Sequence, residues 1–142
     1  MRNSGIDRPA AVALFGVVLF LATGTALAQP KVNRPCNCTT ERCLILDVRD
    51  KMQAIVGVIT LRSGSYMLNL DAPVCGKNTE AGQADFPDET IIHFIPAENL
   101  IGAAKGLAGQ HVRMQGYPFA AETAWHRTNI MFETNSIEPI LQ

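Results

Sequence analysis

The run from Met52 to Leu61, MQAIVGVITL, constrains the fold more than any other stretch. It is rich in Val, Ile and Thr, which predicts a strand. Both of its faces are apolar: Ala54, Val56 and Val58 on one, Ile55, Ile59 and Leu61 on the other. Such a strand is buried on both sides for part of its length. Gly57 lies in its middle, where a glycine marks a bulge or a tight bend. The first strand of a small barrel has these properties, because it must bend sharply to serve both halves of the sheet.

The rest of the chain supplies partners for that strand. Arg62-Ser63-Gly64-Ser65 is a turn, and Tyr66 to Leu70 is a second strand that completes a hairpin. Asp71 to Asp88 is polar, with two prolines and two glycines, and is expected to be a long loop. Glu89 to Ile95 is the third strand, stopped by Pro96. Ala97 to Gly106 has helical spacing, with Leu100, Ile101 and Ala104 facing inward. Gln110 to Gly116 and Asn129 to Ile137 are the fourth and fifth strands. Five strands with one helix between the third and fourth is the order of an OB-fold barrel. An open α+β sandwich is the alternative. Cys43 to Val48 is short and apolar and is expected to pack on the barrel or pair as an edge.

Upstream, residues 1–28 have the order of a secretory signal peptide. Arg2 and Arg8 precede an apolar run from Ala10 to Leu21, and Ala26-Leu27-Ala28 forms a small-x-small cleavage site. An uncleaved anchor is the rival reading. Residues 29–42 form a polar, flexible lead-in holding Cys36 and Cys38, and 43–142 form the barrel domain. Without residues 1–28 the chain keeps 10 basic and 12 acidic residues. That scattered, slightly acidic balance gives no footprint for nucleic acid. A periplasmic or secreted bacterial protein follows, with no stable membrane insertion once the leader is cut.

Four cysteines, Cys36, Cys38, Cys43 and Cys75, lie beyond the leader, and an even count there argues for disulfides. A Cys36–Cys38 bridge would be a tight ring. Cys43–Cys75 is favoured because each residue flanks a strand region, which leaves Cys36 and Cys38 to form a redox pair or to tie down the lead-in. A four-cysteine zinc site is disfavoured by the C-x-C-x4-C spacing.

The working surface is expected at the twelve residues from Tyr117 to Thr128. In an OB barrel the connection between the fourth and fifth strands frames the binding face. Tyr117, Phe119 and Trp125 are three of nine aromatic residues, and His126 and Arg127 accompany them. These residue types dominate recognition surfaces. The competing structural reading has Phe119 and Trp125 capping the barrel, with His126 and Thr128 holding the loop backbone.

The combination Tyr66-x-Leu68-x-Leu70-Asp71-x-Pro73-Val74-Cys75 with Gly116-x-x-Phe119-x-x-x-Thr123-x-x-His126-x-Thr128 resembles the exported bacterial family known as domain of unknown function 4431. The resemblance spans about Cys43 to Ile137. It implies a cysteine before the first strand, a place that Cys43 takes, and so supports Cys43–Cys75. Family members often carry consecutive histidines before the final threonine; here Trp125-His126-Arg127-Thr128 has one. The resemblance implies no activity.

No catalytic motif is present: no G-x-S-x-G, H-E-x-x-H or phosphate-cradling glycine loop. The chain is therefore expected to be a non-enzymatic binding module without cofactor. It would recognise an envelope protein or a glycan through Tyr117, Phe119, Thr123, Trp125, His126, Arg127 and Thr128. Two alternatives are carried. One is a periplasmic metal-binding module using His126 with His93 or His111. The other is a thiol-redox protein using Cys36 and Cys38. Composition and spacing do not set an oligomeric state.

Overall fold

The computed structural model describes residues 34–141. The leader expected at 1–28 and the start of the lead-in lie outside the described residues. The elements in order are β1 (Cys43–Ile45), β2 (Gln53–Arg62), β3 (Ser65–Lys77), β4 (Phe86–Pro96), a 3-10 turn (Glu98–Leu100), α1 (Ile101–Gly106), β5 (His111–Ala120) and β6 (Ile130–Pro139).

Five of the strands close into a barrel. Their order is β3-β2-β5-β6-β4, and β4 returns to pair with β3. The β4–β6 pair is parallel and the other barrel pairs are antiparallel. This is the expected OB-type closure, and it removes the open sandwich. The helix falls between β4 and β5, not between the third and fourth elements of the sheet. The shift arises because Cys43–Ile45 is a strand in its own right, paired parallel to Cys75–Lys77 of β3.

Gly57 does the work expected of it. β2 pairs with β5 from Gln53 to Val58 and with β3 from Gly57 to Arg62, so the strand changes partners at this residue. A Cβ there would stand 2.1 Å from the Asn69 carbonyl oxygen. Only glycine permits that approach.

Two sequence expectations need correction. The long loop at 71–88 is mostly strand. β3 continues to Lys77 through two register shifts, burying Val74, Cys75 and Gly76, and the true loop is 78–85. Exposed Asp71 and Pro73 made the segment look like loop, because a charge and a proline sit where β3 bends. In the helix, Ala104 is fully buried but Ile101 is 46% exposed. The 3-10 turn delays the helix start to Ile101 and rotates its apolar face, so Leu107 packs on the core in place of Ile101.

The core is the barrel interior. Phe94, Phe132, Ile59, Leu68, Ile92 and Met114 are each 1% exposed or less. Leu44 and Leu46 extend this cluster beneath the chain that precedes β2.

The lead-in is pinned from Arg34 onward. Its disulfides are Cys36–Cys75 and Cys38–Cys43, which overturns the expected Cys43–Cys75 bridge and any Cys36–Cys38 redox pair. The reason is a turn that the sequence reading missed. The Asn37 carbonyl accepts the amides of Thr40 and Glu41, and the Asn37 Oδ1 accepts the amide and hydroxyl of Thr39. This turn folds Cys38 back onto Cys43 and presents Cys36 to Cys75. Cys43 and Cys75 are opposite one another in the β1–β3 register, yet they are not bonded.

Asp85 fastens the same region. Its carboxylate accepts from the Cys36 amide at 2.7 Å, the Asn78 amide at 2.9 Å and Lys77 Nζ at 3.0 Å. Burial alone would raise its pKa, but the two amides and the Lys77 ammonium outweigh it and hold the carboxyl below its ordinary value. Two disulfides suit an oxidising, non-cytoplasmic environment. Among the described residues, no helix is long and apolar enough to cross a membrane.

Candidate functional site

The connection between β5 and β6 is shorter than the sequence suggested. Tyr117 to Ala120 belong to β5, paired with Ile130 to Glu133 of β6, so the loop itself is 121–129. Pro118 hid this extension, since proline reads as a strand breaker. Here β5 has already left β2, whose pairing ends at Gln53–Gly116. The missing N–H therefore costs no ladder bond. The Pro118 carbonyl accepts the amide of Asp47 from the chain between β1 and β2.

The loop rests on the outside of the barrel. Met67, His93, Met131 and Phe119 lie in one cross-strand row over β3, β4, β6 and β5. They share a face, opposite the one that carries Leu68, Phe94 and Phe132. Met67 is 4% exposed and Met131 is fully buried although both point away from the core cluster. His93 is the hinge of the arrangement. Its backbone amide donates to Thr128 Oγ1 at 2.8 Å, and its ring Nδ1 accepts the Arg127 amide at 3.3 Å. Burial, then the nearby His126 and Arg127, hold its pKa below the ordinary 6.5. His93 is thus neutral at pH 7 and free to accept.

Residues 91–138 match the family model described as Domain of unknown function (DUF4431). The matched segment contains the second motif, Gly116 to Thr128, but not the first motif at Tyr66–Cys75. The likeness is therefore narrower than the Cys43–Ile137 span expected from the sequence. No curated protein and no solved structure matches the chain.

Within the DUF4431 segment, the motif residues build the loop. A Cβ at Gly116 would meet the Glu133 carbonyl oxygen at 2.0 Å, beside the register shift between β5 and β6. His126 Nδ1 accepts the amides of Glu122 and Thr123 at 3.0 and 3.4 Å, and the His126 amide returns a bond to the Thr123 carbonyl. The His126 ring meets Phe119 edge-on at 5.9 Å. The Thr128 hydroxyl accepts from His93 and donates to the Ile130 carbonyl. The side chains of Phe119, His126 and Thr128 are accordingly occupied by loop geometry, whereas Thr123 takes part through its backbone and its side chain is exposed.

The residues between the motif positions face water. Trp125 is 81% exposed at the tip of the loop, and the Arg127 side chain is exposed beside it. Tyr117 lies on the outer face of β5. Arg49, which sequence reasoning did not single out, joins it. The guanidinium stands 5.8 Å from the Tyr117 ring and 5.9 Å from the Phe119 ring, and it pairs with Glu133. Only the fold brings Arg49 here, through the Asp47–Pro118 bond and the positive φ of Asp47 (61°). No pattern in the sequence signals it.

The three histidines do not converge. His93 and His126 both use Nδ1 to hold backbone amides, which leaves each with only Nε2 for a metal. His111 lies at the other end of β5, with Nε2 at 2.6 Å from Asp71 Oδ2. Among the described residues, the one group with metal-ligand spacing is Cys36, Glu41 and Cys75. Its sulfurs are bonded to each other, so neither offers a thiolate.

Proposed function

We propose that the protein is a non-catalytic binding module of the bacterial cell envelope. In this reading residues 1–28 direct export, and the mature domain recognises a protein or a glycan through the outer face of the β5–β6 connection. The observation that carries the reading is Trp125, 81% exposed at the tip of a loop whose backbone is braced on both sides. A large aromatic held in water on a pinned loop gives contact area at small ordering cost. Arg127 and the Arg49–Tyr117 stack supply neighbouring polar and planar contacts that suit a sugar ring or an aromatic side chain. His126 and Thr128 position this surface, and the exposed Thr123 side chain lies on it.

Trp125 is the only tryptophan in the chain, so its fluorescence reports the site directly. Peptidoglycan fragments and then fractionated envelope protein are titrated into the oxidised domain. A saturable change in Trp125 emission is expected with one of them. Trp125→Ala should abolish capture of the same component on a column while the melting temperature stays within about 2 °C, as for a surface substitution. An emission spectrum indifferent to every fraction, or capture that survives Trp125→Ala, would end this reading.

A further inference from the structure

A second site lies away from the β5–β6 loop, where the barrel wall parts. Pairing between β2 and β3 stops at Gly57–Leu70. Beyond that point β2 follows β5 down to Gln53, while β3 bends away and takes β1 as its neighbour from Cys75 onward. Ala54 to Val56 and Leu70 to Val74 then face each other without a ladder. β1 is three residues long and reaches only as far as Cys43, so it does not fill the gap. What remains is a groove of about 350 Å³, lined by half-buried Val56, Leu70 and Ala72 and by the edges of the buried core residues Leu44, Ile55 and Val74.

Two arginines border this groove, Arg42 just before β1 and Arg113 on β5. Both are exposed, and neither has an ion pair or a side-chain hydrogen bond among the described residues. Glu138 stands opposite Arg113 in the β5–β6 register, but the two side chains are not bridged. The backbone of Arg42 is fixed, since its carbonyl accepts the Cys75 amide at 2.8 Å. A cleft with both apolar and polar walls, and two guanidinium groups without ion pairs at its mouth, is complementary to one kind of occupant. That occupant has a slender apolar body and a single anionic head, which the planar forks can grip. The volume is at the low end for ligand pockets, which favours one short chain over a two-chain lipid.

We propose that this groove binds a short-chain aliphatic carboxylate, with the chain between β2 and β3 and the carboxylate between Arg42 and Arg113. Sodium octanoate is the probe, followed by amide chemical shifts of the oxidised protein. Saturable shifts are expected at Leu44, Val56, Ala72 and Val74. Arg42→Gln and Arg113→Gln should each weaken binding about tenfold, as the loss of one charge-assisted bond does, and leave the melting temperature unchanged. Octanol, with the body alone, and inorganic phosphate, with the charge alone, should each bind far more weakly. Equal binding of octanol would remove the arginines as anchors and overturn the proposal. Full competition by phosphate would remove the cleft and overturn it too. So would octanoate shifts that gather at 121–129, which would place the anion at Arg127, or shifts that never saturate.

Discussion

Two irregular segments of this molecule are held against the barrel by opposite means. The lead-in at 34–43 is fixed by covalent bonds, with one disulfide inside its ten residues, a second from Cys36 to Cys75, and the Asp85 clasp behind them. The loop at 121–129 has no covalent tie. Two histidine rings, one threonine hydroxyl and the amide of His93 hold it. The lead-in carries no exposed aromatic residue, whereas the loop carries the most exposed one. A disulfide fixes a segment against both folded and unfolded alternatives and tolerates no adjustment. A hydrogen-bonded brace costs less to open. The difference suits the lead-in to stability and is consistent with the proposed use of the loop in binding, since binding segments come from the less stable end of a structure.

The largest test of this contrast is removal of the Cys36–Cys75 bridge. Its ends are 39 residues apart, and the chain-entropy model gives a loss of about 4 kcal/mol against about 2 kcal/mol for Cys38–Cys43, which spans 5. Paired Cys→Ser variants, unfolded in urea, check both values and their order. Asp85→Ala comes next. It strands two amides in a part-buried site and releases the half-exposed Lys77 ammonium, and a loss of about 2 kcal/mol is expected. If it costs nothing, the disulfides alone secure the lead-in.

Thr128→Val probes the other segment. Two hydrogen bonds disappear, at about 1–2 kcal/mol, and amide exchange should quicken at His93 and across 121–129 but not at 34–43. Exchange that accelerates equally in both would deny that the segments are separately held. The smallest effect is a pH dependence. His93 has a lower pKa folded than unfolded, so below its ordinary 6.5 the unfolded chain takes up a proton that the folded chain refuses. Stability falls as pH drops through that value toward the folded pKa, and it is regained above it. Between about pH 7.5 and 5.5, the melting temperature of His93→Asn should fall less than that of the native protein. A steeper fall would mean that the protonated ring is the stabilising form.

The barrel was readable because its determinants are local. Val and Ile alternation, Gly57 and the helical spacing before Gly109 each act over a few residues, and together they left one economical closure. What failed depended on distant partners. β3 past Leu70 is a strand because β1 and β4 flank it, while Asp71, Pro73 and Gly76 break the strand pattern of its own sequence. Tyr117 to Ala120 extend β5 because β6 returns beside them despite Pro118. The cysteine pairing turned on the Asn37 turn, whose effect is to change which sulfur reaches Cys75. At the site, the motif spacing from Gly116 to Thr128 was legible as a unit, but its residues build the loop and, Thr123 apart, do not face a partner. Arg49 was beyond reach from the sequence, since only the Asp47–Pro118 contact carries it to Tyr117.

The nested arrangement of the disulfides has a consequence for how the molecule matures. A catalyst that oxidises thiols in the order of their appearance during synthesis would join Cys36 to Cys38 and Cys43 to Cys75. Both of those bonds are absent from the native state. The second is an attractive trap, because β1 and β3 place Cys43 beside Cys75 in a nearly finished sheet. Maturation by that route would require exchange, in which the thiolate of an added isomerase or small thiol reopens the early bond and lets Cys36 claim its distant partner. On that route the yield of correctly assembled molecules would follow access to such a thiol as much as the sequence's preference for a barrel.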